Sequence, residues 1–570
     1  MRPIFCAAVL IFAFTSSPAI PSAHALQAVP PDNRPVPTVP SGMHPMPGRV
    51  RPTMQPATPA EAHAEIVFEA ARSHGPLALH ALLEKMPKGA DLHMHLSGAV
   101  YAETFLKDAA DDGMCIDPVK LALVKPAATE SACVPGTVPA SSLFANLPAS
   151  QHLYDALVDS FSMRAFVPKA GVDGHDQFFA TFARFDGIGK QHLGEWLDEV
   201  ATRAAAQNVQ YLEIMVTPPF GHAAGLGFKL GWPVPTLPMT TAASSTPQLL
   251  GASRAELAAL RDKLLAAGLR DEVAVDSAEF DTALAQRSNI ERCGQPDAAA
   301  ACSVQIRFLY QVLRAFAPQQ VFAQTLLAFE VASSDANVVG LNFVQPEDAY
   351  MAMSEYHRQM RMLDYLHTVY PHVHITLHAG ELAPGLVPPA GLSFHVREAV
   401  DLGHAERIGH GVDVMYETDP QLLLKELAAR HIMIEVNLTS NDVILGVDAN
   451  HHSLPSYRAA HVPVALSTDD EGVSRIDLTH EYARAATDFH LSYLDLKAMA
   501  RTSLEHSFLR GPGLFAETDD FTRIIPVCAG QLTGADTPTP ACTEFLRNSP
   551  HAAQQWELEH RFKVFESLLP

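Results

Sequence analysis

Between Pro87 and Asp470, short apolar runs alternate with amphipathic stretches, and this alternation constrains the fold more than any other feature of the chain. Residues 90–96, 209–216, 304–310, 338–344, 372–378, 407–412, 431–436 and 462–467 read as strands, mostly separated by helical spacing. Repeated strand–helix units predict a parallel sheet. This many of them suit a closed α/β architecture, a TIM (β/α)8 barrel with insertions and a C-terminal extension. An open doubly wound sheet is the competitor, but no G-x-G-x-x-G follows an early strand.

The flanks differ from this middle. Arg2 precedes an apolar run ending at Phe14, and Ala23-His24-Ala25 supplies an A-x-A arrangement. Residues 1–25 therefore read as a secretory signal cleaved before Leu26, which predicts a secreted or periplasmic protein with no stable membrane anchor after processing. Residues 26–60 are Pro-rich and read as an extended tether, with helical spacing starting near Pro59–Glu61. The barrel is expected over 61–515, interrupted by an insertion at about 220–300 whose Gly-, Pro- and Thr-rich part, 220–247, reads as a long loop. Residues 516–570 form the extension, with an irregular stretch over 511–550 and a closing helix over 554–569. Cys115, Cys133, Cys293, Cys302, Cys528 and Cys542 remain after the signal, an even set suited to an oxidising compartment. Their preferred pairing is local: 115–133, 293–302 and 528–542. A net charge of -23 argues against a partner made of nucleic acid or anionic lipid. Nothing in the sequence fixes the oligomeric state, and a homodimer is compatible with it.

Four segments at expected strand ends carry the chemistry. In Asp91-Leu92-His93-Met94-His95, alternate strand residues share a face, so His93 and His95 can chelate one ion. With 28 histidines in the chain, that pair alone is weak evidence. His378-Ala379-Gly380-Glu381 offers a ligand, a tight turn and a proton carrier in one cavity. Arg407-Ile408-Gly409-His410-Gly411 leaves His410 on bare backbone, and Ser467-Thr468-Asp469-Asp470 places two carboxylates where a cation would relieve their repulsion. Three imidazoles and one carboxylate suit Zn2+, one per chain, with a position left open for water. A barrel brings the C-terminal ends of distant strands to one face, so fold and site support each other.

The order H-x-H, H-A-G-E, G-H-G and T-D-D, with Pro87-Lys88-Gly89-Ala90-Asp91-Leu92 ahead of the first pair, resembles the adenosine deaminase branch of the metal-dependent amidohydrolases over roughly residues 85–510. The export signal, Pro-rich start and insertions are similar to those of the extracellular, growth-factor-related deaminases. The resemblance implies zinc on His93, His95, His378 and Asp469, and catalytic roles for Glu381, His410 and Asp469. Zinc would lower the pKa of a bound water. Asp469 would receive its proton, His410 would orient it, and Glu381, protonated in a dry pocket, would protonate the purine ring nitrogen beside the attacked carbon. Asp470 would bond the five-membered ring. The implied reaction converts adenosine, or a related 6-aminopurine nucleoside, into inosine and ammonia.

Two substrate-binding positions depart from the family. Ser97 stands where an aspartate commonly meets the sugar hydroxyl, and Gln345, in Asn342-Phe343-Val344-Gln345-Pro346-Glu347, aligns with a glycine whose backbone amide meets the purine. Adenine or another aminopurine is thus an alternative substrate. A second alternative is an extracellular binding or signalling factor with a vestigial site, against which the intact ligand set argues. The H-x-E with P-C-x-x-C signature of single-strand nucleic-acid deaminases is missing. His372, His374, His395 and His404 are expected at the surface or as helix caps, and His451-His452 in a loop. Glu435 and Glu213, charges inside apolar strands, need buried partners. Phe178, Phe179, Phe182 and Phe185 have helical spacing suited to core or to the pocket mouth.

Overall fold

The computed structural model describes residues 58–126, 133–145, 147–233 and 252–570. The expected signal peptide, the Pro-rich stretch up to residue 57 and residues 234–251 of the expected insertion lie outside these residues. Eight strands follow one another around a single sheet: β1 (Gly89–His95), β2 (Val209–Val216), β3 (Gln305–Leu313), β4 (Val338–Val344), β5 (His374–Ala379), β6 (Arg407–His410), β7 (Met433–Val436) and β8 (Val464–Leu466). Every neighbouring pair is parallel. A parallel bridge between Met94 and Asp469 closes the barrel, with the Asp469 N–H donating to the His93 carbonyl at 2.8 Å and the His95 N–H to the Asp469 carbonyl at 3.2 Å. All eight strands fall where the apolar runs predict them, within three residues at either end.

The strands read as apolar runs because helices cover the outer face while side chains fill the inner one. Every residue of β2 is buried. The helix Pro318–Ser334 lies over β3 and β4 with Val321, Phe322, Leu326, Leu327 and Phe329 fully buried, each contributing about 1.5–3 kcal/mol. Low in the barrel, Arg407 is wholly buried between two carboxylates, at 2.7 Å from Glu213 and 2.6 Å from Glu435, and its guanidinium lies over the Phe508 ring. Two of the charges singled out in apolar strands are thereby paired.

The first described helix begins where the sequence places it: Thr58 caps the helix Pro59–His74 in a capping box with Glu61. The insertion differs from the expected loop, because residues Gly221–Leu230 form a helix. One of its glycines, Gly227, serves close packing. A Cβ on Gly227 would come within 2.3 Å of the Gln319 carbonyl oxygen on the helix beneath. The stretch 511–550 is also more regular than expected, with a hairpin of Phe515–Glu517 and Asp520–Ile524 followed by the helix Pro540–Asn548. The closing helix begins earlier than expected, at Pro550, and runs to Leu568. Lys497 fastens this extension to the barrel by bonding Glu61 at 2.9 Å and Glu566 at 2.5 Å. A small antiparallel sheet, Cys115–Asp117 with Ala122–Val124 and Val138–Pro139, has no counterpart in the sequence expectations. The three local disulfides, Cys115–Cys133, Cys293–Cys302 and Cys528–Cys542, are all formed. Among the described residues, no helix is long and apolar enough to cross a membrane.

Candidate active site

The C-terminal ends of β1, β5 and β8 bring His93, His95, His378 and Asp469 together. Their ligand atoms all lie within 4.8 Å of one another, and all four residues are buried or nearly so. His378 Nε2 lies 3.1 Å from His93 Nε2 and 3.2 Å from His95 Nε2, and Asp469 Oδ1 lies 3.5 Å and 3.3 Å from the same two atoms. Three ring nitrogens facing one point cannot satisfy each other, since neutral imidazoles offer one donor and one acceptor each. A cation between them removes the conflict. The opposite nitrogens have acceptors of their own: His93 Nδ1 is 2.6 Å from Glu435 Oε2, and His378 Nδ1 is 2.9 Å from Asn342 Oδ1. Glu435 thus supports the site, as a charge in an apolar strand predicts. The donor set fits a divalent metal with nitrogen and oxygen ligands.

Glu381 and His410 border this cluster. His410 Nε2 is 3.7 Å from Glu381 Oε1 and 3.9 Å from Asp469 Oδ2. Burial pushes the Glu381 carboxyl above its ordinary value; His410 opposes this and the Asp469 charge adds to it. Burial acts on Asp469 as well, but the imidazoles of His93 and His95 reverse it and hold Asp469 well below the usual carboxylate range. Ser440 Oγ donates to Asp469 Oδ2 at 2.6 Å. His410 and Asp469 adopt left-handed backbone conformations, φ 68° and 60°, which are uncommon for non-glycine residues.

Several supporting residues escape the sequence reading. Glu347 accepts the backbone N–H groups of Gly380 and Glu381, at 3.2 and 2.7 Å, and so fixes the turn that aims Glu381. Gly380 is required there: its φ is 76°, and a Cβ would meet Asp413 Oδ1 at 2.3 Å. Asn441 Oδ1 lies 2.8 Å from His410 Nδ1 and is itself held by His452, which is buried although expected as a loop residue. Thr468 donates to Asp91 at 2.6 Å and joins the first motif to the last. His395 is also a correction, fully buried beside Glu347 and stacked on Phe394, where a surface or capping role is expected. His372 is exposed, and His374 and His404 pair with Glu406 and Asp364 near the surface, as expected.

A cavity of about 390 Å³ opens over Glu381, Asp469 and Asp470, walled by Phe178, Phe179 and Phe182 of the helix Gly174–Phe185. Phe185 turns into the core instead, stacked on Phe105 at 4.6 Å between ring centroids. Asp470 Oδ1 is buried with no hydrogen-bond partner, packed against Gly98, whose Cβ would clash with it. Ser97, exposed, lies at the cavity edge. Gln345 also lines the cavity, at φ 89°, a glycine-like conformation, with its side chain turned back to accept from the Ala315 N–H at 2.8 Å.

Comparison with known proteins follows the same lines. Residues 285–514 match the family model described as adenosine deaminase. An adenine deaminase of Rhizobium leguminosarum is 36% identical over 137 residues, covering 24% of this chain and 39% of that protein. An adenosine deaminase of Clostridium perfringens is 33% identical over 135 residues, covering 24% and 37%. The chain thus spans less than two fifths of the length of these curated relatives. Among solved structures, a zinc-bound amidohydrolase from Burkholderia ambifaria is 16% identical with a TM-score of 0.48, covering 86% of this chain and 94% of that one. The family match takes in His378, Glu381, His410 and the Asp469–Asp470 pair, and over residues 285–514 this chain is similar to the adenosine deaminase family.

Proposed function

We propose that this chain is a zinc-dependent aminohydrolase acting on adenosine or a closely related neutral 6-aminopurine, with adenosine and water giving inosine and ammonia. The observation that carries this reading is the convergence of three imidazole Nε2 atoms and Asp469 Oδ1 beside Glu381 and His410, at the floor of a phenylalanine-walled cavity. His93, His95, His378 and Asp469 would hold the zinc, which when bound would lower the pKa of water toward neutrality. The residues do the rest. Asp469 Oδ2, held by Ser440, takes up a proton, and His410 Nε2 orients the attacking oxygen and offsets the charge that forms on it. Glu381, whose carboxyl burial pushes above its ordinary value, donates to the ring nitrogen next to the attacked carbon. Phe178, Phe179 and Phe182 offer apolar faces for a purine, and the unpartnered Asp470 Oδ1 offers it a hydrogen-bonding group.

Charge narrows the substrate. The cavity contains three carboxyl groups, Glu381, Asp469 and Asp470, and no lysine or arginine among its described lining residues. A phosphate would find no cationic side chain there to pair with. Ser97 offers the sugar a neutral hydroxyl at most, and the relatives include both adenine and adenosine deaminases, so the free base remains the second reading. The test is a panel assay of the zinc-loaded chain with adenosine, deoxyadenosine, adenine and AMP, following ammonia release. Turnover of at least one neutral purine is expected, with AMP about a hundredfold poorer or worse. No turnover of any neutral purine would overturn the reading.

A further inference from the structure

We infer that Gln311 is the positioning residue for His95, its carboxamide oxygen completing a set of three acceptors that decide which imidazole nitrogen each histidine turns toward the metal. This rests on the reading of His93, His95, His378 and Asp469 as a zinc centre. An imidazole can offer the Nε2 lone pair only when its proton is on Nδ1, so each ligand needs an acceptor at Nδ1 to hold that tautomer. His93 has the Glu435 carboxylate and His378 has Asn342 Oδ1. For His95, the group against Nδ1 is the carboxamide of Gln311. Oxygen and nitrogen of a carboxamide are told apart by their partners, and only oxygen can accept from an Nδ1–H. The structure sets the Gln311 amide nitrogen against His95 Nδ1 and has Thr217 Oγ1 donating to Gln311 Oε1; turning the carboxamide over exchanges the two atoms, and the Thr217 hydroxyl, which can donate or accept, then accepts from the amide N–H.

The barrel register makes this more than a chance contact. Gln311 on β3 stands directly beside Asn342 on β4. Two carboxamides at paired positions on neighbouring strands thus serve two neighbouring ligands, His95 and His378. His95 is the most exposed of the metal-facing histidines and forms part of the cavity wall, so it lacks the packing that holds His93 in place. Gln311 is itself buried, and it lines the same cavity. Its amide fixes the ring without adding a fourth carboxylate to a cavity that already holds three.

The test is the zinc affinity of the full chain, measured by competition with a chromophoric chelator, for wild type, Gln311→Met and Gln311→Glu. Methionine keeps the length and removes the acceptor, and zinc binding should weaken about 10- to 100-fold. Glutamate keeps an acceptor, and its affinity should stay within about tenfold of wild type. Gln311→Met binding zinc within about tenfold of wild type would overturn the assignment, since a space-filling glutamine would behave that way. Should Gln311→Met fail to fold by circular dichroism, Gln311→Glu decides: a loss beyond about tenfold overturns the assignment and a smaller one supports it. A wild-type chain that binds no zinc would instead overturn the metal centre itself.

Discussion

Glu381→Gln should bind zinc as tightly as wild type while losing about 10²- to 10⁴-fold in turnover, measured as kcat on whichever neutral purine the chain accepts. The substitution keeps the shape of the side chain and removes its acid. The turn around it survives, because Glu347 grips the backbone N–H groups of Gly380 and Glu381, not the side chain. The metal-facing atoms of the three histidines and Asp469 are untouched, so metal content and folding serve as internal controls. Turnover within about tenfold of wild type would remove Glu381 from proton transfer and leave the raised carboxyl without a catalytic purpose.

The second large effect concerns stability. Arg407→Leu should cost about 3–5 kcal/mol in urea denaturation, because it strands the wholly buried carboxylates of Glu213 and Glu435 without their shared cation. Burial pushes Glu435 up, and in the wild type Arg407 and His93 reverse this and hold it below its ordinary value. That contribution is therefore present above the unfolded-state pKa and fades as pH falls. In the variant the sign inverts for Glu435: without Arg407 its burial raises the carboxyl, and the folded state takes up a proton that the unfolded chain does not. The deficit should thus be largest at neutral pH and shrink toward about pH 4. Zinc binding should weaken too, since Glu435 is the acceptor for His93. A loss under about 1 kcal/mol at neutral pH would mean the cluster is relaxed by water or by a shared proton.

The barrel was legible in the sequence because its strands are buried on both faces, which makes each an apolar run of strand length. The metal-facing residues were legible for a related reason: each stands at the end of such a run, where the barrel opens. What escaped depends on tertiary contact. The glycines of Gly221–Leu230 read as loop, and the purpose of Gly227 appears only when it meets the Gln319 carbonyl. The three short strands between Cys115 and Pro139 are too brief for any period to register. The burial of His395 beside Glu347 and of His452 beside Asn441 follows from contacts that no local sequence period records. Gln311 and Asn342 carried a usable signal. Each is a polar residue inside an apolar strand, the same feature that singled out Glu213 and Glu435.

Titration calorimetry of zinc into the metal-free full chain tests the central claim most directly, with His378→Ala alongside. His378 Nε2 lies within 3.2 Å of both other ring nitrogens, so it is the hub of the cluster. The wild type should take up about one ion per chain, and the variant should bind it at least about a hundredfold more weakly. No zinc uptake by the wild type, or equal affinity in His378→Ala, would contradict the account.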